Sequence, residues 1–196
     1  VCRWRMSNKK VPMLNRHIRA LSERLVQGEP LTHNMLSWAK QHVEWSLAEG
    51  DYTAHDGVLM LVIDINGNAA MTVGEYEPLA DTSAKALRAR SAEARSEADE
   101  TGVAPELLAA VDDGELAFVA PADECLCGTA TLIEQLAQTK GIPVTRVDIP
   151  AQLKGALFLV SDEHGVVPAA ETDAAEADAA TVAFFADGYE KLRARR

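Results

Sequence analysis

The residues with the clearest chemical meaning lie in the last third of the chain. Gly128-Thr129-Ala130-Thr131 opens a helix-like segment, and the apolar run Phe158-Leu159-Val160 breaks into Ser161-Asp162-Glu163-His164-Gly165 before Val166-Val167-Pro168. A strand that ends in a polar loop beside a Gly-Thr turn can build an anion pocket, because the first N–H groups of a helix have no partner inside it. Such a pocket suits a phosphorylated ligand, and a cofactor enzyme is the most economical reading. His164 offers a general base, and with Asp162 or Cys127 it would make a hydrolase, but no nucleophile motif surrounds these residues and a turn histidine is ordinarily exposed. Cys125 and Cys127 are separated by a single residue, too close for zinc-ligand spacing and without a second pair, so no metal site is expected.

These residues need elements to position them. Asn15 is expected to cap a helix carrying Ile18, Leu21 and Leu25, ended by Gly28 and Pro30. A second helix runs from about Thr32 to Gly50 with Leu36, Ala39, Val43 and Leu47 on one face. Asn66-Gly67 between Val58–Ile63 and Ala69–Val73 is a hairpin signal; Asp64-Ile65-Asn66-Gly67-Asn68 is too short for a calcium loop and lacks its closing Glu. Pro78 marks a boundary, after which Ser83 to Glu100 forms an exposed helix stopped by Gly102. Asp112-Asp113-Gly114 joins two short strands, and a helix from Thr129 to Lys140 leads through Gly141 to a strand near Pro143–Ile149. Ala156–Val160 is a further strand, Ala169–Ala180 an acidic loop or helix edge, and a last helix reaches Arg196. Trp38, Trp45 and Tyr52 fall near helical spacing and suit packing or a subunit contact, with His42 packed between the tryptophans.

With 30 carboxylates against 19 Lys and Arg and a formal charge of -11, the chain lacks the basic field that nucleic acid or an anionic membrane requires. Basic residues from Arg3 to Arg24 read as a solvated helix face. No apolar run of about 18 residues exists to span a bilayer, and Val1-Cys2-Arg3-Trp4-Arg5 has no signal-peptide core. Three cysteines fit a reducing compartment. A soluble, cytoplasmic protein is expected.

Several short motifs fall in a familiar order. His17-Ile18-Arg19-Ala20-Leu21 comes first, then Lys85 ahead of an Ala- and Arg-rich helix, then Leu126-Cys127-Gly128-Thr129-Ala130-Thr131, Gly141-Ile142-Pro143-Val144 and Phe158 to Pro168. Together they resemble the class IV fold of pyridoxal-phosphate enzymes, which includes branched-chain and D-amino-acid aminotransferases and aminodeoxychorismate lyase. The resemblance implies a two-lobe α+β fold, with a small lobe over residues 1–79 and a larger one over 80–196. It also implies pyridoxal phosphate, a small amino-acid or amino-chorismate type substrate, and a homodimer. Lys85 would be the Schiff-base lysine and the base that moves the substrate's α proton, while Arg19, Gly128, Thr129 and Ser161 would hold the cofactor.

The departures from that pattern are chemical. Ala20 stands where the family keeps a phosphate-binding Arg, with Arg19 one position away. Asp162 replaces a hydroxyl of the phosphate cup and Ala130 another, and a carboxylate repels a phosphate dianion. The segment whose Glu pairs with the pyridine nitrogen is shortened between Gly114 and Gly128, leaving Glu115 as the nearest substitute. The sequence therefore supports two expectations: an aminotransferase or aminodeoxychorismate-lyase-like enzyme, or a cofactor-less protein of the same fold serving as a binding or interaction protein.

Overall fold

The computed structural model describes residues 1–50, 56–171 and 173–195. Its elements are β1 (Cys2–Ser7), α1 (Leu14–Ser22), β2 (Leu25–Val26), β3 (Glu29–Pro30), α2 (His33–Glu49), β4 (Asp56–Ile63), β5 (Ala69–Glu75) and α3 (Ala84–Thr101). They continue with β6 (Leu107–Asp112), β7 (Glu115–Val119), α4 (Gly128–Thr139), β8 (Val144–Val147), β9 (Ala156–Ser161), β10 (Gly165–Pro168) and α5 (Glu176–Arg193).

Cys2, Trp4 and Met6 alternate with Arg3 and Arg5, and this period of two makes β1 a strand with one buried face. It pairs antiparallel with β4, which pairs with β5 through the Asn66-Gly67 turn, giving the sheet order β1-β4-β5. Asp64 holds that turn by accepting the backbone N–H groups of Asn66 and Asn68 at 2.8 and 2.9 Å. Leu36, Ala39, Val43 and Leu47 of α2 cluster with Leu59, Leu61 and Ile63 of β4. Thr32 caps α2, its hydroxyl accepting from the Met35 amide at 3.3 Å.

The second sheet has the order β10-β9-β6-β7-β8, antiparallel except for β7 and β8, which α4 connects as a parallel pair. Helices α4 and α5 contribute Ile133 and Phe185 to a core with Phe118 and Phe158, while Leu87 of α3 meets Leu108, Leu157 and Leu159 in another. Cover on both faces explains why β9 is an unbroken apolar run. Ser83 caps α3 through its hydroxyl, and Gly102 ends it in the left-handed region at φ 70°.

Several expectations change. Arg3 and Arg5 lie on β1 rather than a helix face, and Arg5 is buried. Helix α1 is capped at Met13 rather than Asn15 and stops at Ser22, so Leu25 leaves the helix for an exposed position in the β2–β3 hairpin. Positive φ at Gln27 and Gly28, 54° and 85°, makes that hairpin's turn. The acidic segment stays outside a helix among its described residues up to Ala175 and enters α5 at Glu176, where buried Asp178 accepts the amides of Asp113 and Gly114 at 3.1 and 3.0 Å. Trp38 and Trp45 are 42% and 60% exposed, so they do not serve internal packing, and His42 stacks on Trp38 at 4.7 Å. Tyr52 lies outside the described residues.

Candidate functional site

Helix α4 begins at Gly128, with Cys127 at the cap position. The Cys127 sulfur accepts the Ala130 amide at a long 3.5 Å, a weak contact that leaves the N–H groups of Gly128 and Thr129 facing outward from the helix end. Strand β9 ends at Ser161, whose hydroxyl accepts the His164 amide at 2.9 Å and tightens the turn into β10. That turn delivers the Asp162 side chain to the start of α4. Its carboxylate accepts from the Thr129 amide at 2.7 Å and the Gly128 amide at 3.3 Å.

His17 closes the cluster from α1. Its ring is buried, lies parallel to Trp4 at 5.6 Å, and places Nδ1 3.2 Å from Asp162 Oδ2. Nδ1 has no aligned hydrogen bond among the described residues, so the pair is a close polar contact rather than a directed one. Burial alone would raise the Asp162 carboxyl, but the His17 ring and the Thr129 amide outweigh it and hold the pKa at about 2, down from 3.8. Burial and the neighbouring Asp162 push the Cys127 thiol well above its ordinary value, which removes it as a ready nucleophile. The Asp162 backbone carbonyl accepts from the Arg5 amide at 2.9 Å, joining the turn to β1.

Of the residues singled out in the sequence, Gly128 and Thr129 meet at this site, and Ser161 shapes it from the turn. Arg19 is exposed in a groove with Arg16, Cys125 and Glu134, on the outer side of α1 and α4. Lys85 is exposed in the first turn of α3 near Asp81. Glu115 is also exposed, at the start of β7. His164 is not an exposed turn residue: its side chain is 6% exposed, with Nδ1 3.3 Å from the Tyr76 hydroxyl. It faces Glu106 rather than Asp162 or Cys127, so the hydrolase constellation does not assemble. The role of His17 was not legible as a partner of Asp162; the available signal was a histidine and a carboxylate both occupying apolar segments.

Comparison with known proteins places this geometry in a fold. No family model matches the chain, and no curated protein matches it. Solved structures do match. A protein assigned as a 4-amino-4-deoxychorismate lyase is 15% identical with a TM-score of 0.62, covering 93% of this chain and 87% of its own. A fold IV transaminase from Curtobacterium pusillum is 17% identical with a TM-score of 0.57, over 99% of this chain and 85% of its own. A hypothetical aminotransferase from Mycobacterium tuberculosis in its PLP-bound form is 12% identical with a TM-score of 0.57, over 96% and 88%. The chain thus has the class IV aminotransferase-like fold.

The residues present do not fit the phosphate of pyridoxal phosphate. The amides of Gly128 and Thr129, which the family resemblance assigns to that phosphate, are taken by Asp162, whose negative charge opposes a dianion. Thr129 Oγ1 is fully buried and makes no hydrogen bond among the described residues. The cavity beside Asp162, lined by Trp4, Ala94, Glu97 and Ser161, measures about 30 Å³. That volume holds about one water, against roughly 300–1,000 Å³ for small-molecule sites. Lys85 precedes Ala94 on α3 by nine residues, about 13 Å along the helix axis.

Proposed function

We propose that this chain works without pyridoxal phosphate, as a binding or interaction protein built on the class IV aminotransferase-like fold. The observation that carries this reading is the Asp162 carboxylate seated on the Gly128 and Thr129 amides, where a cofactor phosphate would have to sit. An internal anion tethered by the chain competes with a free one at very high effective concentration, so it stays in place. The exposure of Lys85 agrees with this reading.

A second reading, a pyridoxal-phosphate-dependent aminotransferase or aminodeoxychorismate-lyase-like enzyme, draws on the fold shared with the PLP-bound aminotransferase. The two are separated by incubating the purified chain with pyridoxal phosphate, dialysing, and recording its absorption and borohydride-reduced mass. The first reading expects no stoichiometric cofactor to remain. One retained equivalent, lost in Lys85→Ala together with transaminase turnover, would overturn it. A homodimer is proposed for either reading, to be read by light scattering.

A further inference from the structure

The structure assigns a second site, beyond the reading above and independent of it. We propose that His164, Glu106 and Glu163 bind a first-row divalent cation, with zinc as the ion of choice. The three residues come together from the β9–β10 turn and the residue just before β6, and one ligand atom from each lies within 4.8 Å of the others. Metal–ligand bonds of about 2.0–2.2 Å span at most about 4.4 Å across an ion, so small side-chain shifts close the site.

Glu106 gives the independent indication. The residue is 6% exposed, and its Oε1 accepts from Arg90 Nε at 3.2 Å and Arg90 Nη2 at 2.5 Å, while Oε2 has no hydrogen-bond partner among the described residues. A buried carboxylate oxygen without a donor is costly, and a cation removes that cost. His164 is already oriented: its Nδ1 lies 3.3 Å from the Tyr76 hydroxyl, and its Nε2 lies on the side of Glu106, 3.9 Å from Oε1. A ligating histidine needs this arrangement, one ring nitrogen fixed by an outer partner and the other facing the ion.

Glu163 is half-buried and makes no ion pair among the described residues. Arg90 remains on Glu106 Oε1 as an outer partner, and Arg3 is held by Glu97, so neither cation needs to occupy the ligand face. Two carboxylates and one imidazole suit zinc better than magnesium, which prefers oxygen, or copper(I), which prefers sulfur. Glu106 and Glu163 also line the cavity of about 30 Å³, which has room for one water to complete the coordination.

The test is titration of the chelator-stripped full chain with Zn²⁺ in competition with a chromophoric chelator, with folding followed by circular dichroism. One equivalent should bind to the folded protein and to Cys125→Ser, which removes the exposed thiol. Glu163→Gln and His164→Gln should weaken binding about tenfold or more. Glu163 is half-exposed, so Glu163→Gln decides the matter if His164→Gln disturbs folding. Absence of one-equivalent binding, unchanged affinity in Glu163→Gln, or loss confined to Cys125→Ser would overturn the proposal.

Discussion

Asp162 holds the start of α4 through internal contacts, and its energetics can be tested one residue at a time through its partners.

 Two backbone amides and the His17 ring converge on its carboxylate. Asp162→Ala leaves all three without their partner in a buried place, and a loss of roughly 3–5 kcal/mol is expected in urea denaturation. Asp162→Asn keeps an oxygen for the Thr129 amide and should lose less. Equal stability of wild type and Asp162→Ala would show that the carboxylate does not hold the helix start. The sequence made Asp162 conspicuous as a carboxylate in a hydroxyl's position, but it read only the repulsion of a phosphate. That the same group satisfies the amides depends on the turn set by Ser161 and on His17, which lies 145 residues earlier in the chain. Such a contact leaves no periodic trace.

At the scale of elements, local pattern was informative wherever the chain caps or turns itself. Thr32, Ser83 and Gly102 bound their helices as their types dictate, and Asn66-Gly67 and Asp113-Gly114 turn their hairpins. Strand β1 was hidden because its arginines suggested a solvated helix, although Cys2, Trp4 and Met6 alternate with them. Parallel pairing of β7 with β8 arises from the α4 crossover and has no local signal. The start of α4 also depends on α1. A Cβ on Gly128 would stand 2.5 Å from His17 Nδ1 and 3.2 Å from the His17 backbone Cα. Gly128→Ala would ordinarily favour a helix, yet here it should destabilise by about 1–3 kcal/mol because a buried ring cannot yield. A raised melting temperature in this variant would contradict the close packing of α1 on α4.

For the whole molecule, Asp162 joins the two sheets to a helix: its carbonyl receives the Arg5 amide of β1, and its side chain holds α4. Acid should therefore loosen the fold through this residue. The carboxyl titrates at about 2 when folded and 3.8 when free, so its contribution is full above pH 3.8 and disappears as pH falls towards 2. The difference amounts to about 2 kcal/mol, and Asp162→Asn should flatten that part of the stability–pH curve. Among the described residues no helix is long and apolar enough to cross a membrane, and the charge of -11 sits unevenly with polyanionic partners. The central claim, that Asp162 fills the anion position of the fold, is tested most directly by following the Gly128 and Thr129 amide resonances while pyridoxal phosphate is added to the full chain. The account predicts that neither resonance shifts in a saturable way. A saturable shift of both, reaching completion at one equivalent, would contradict it.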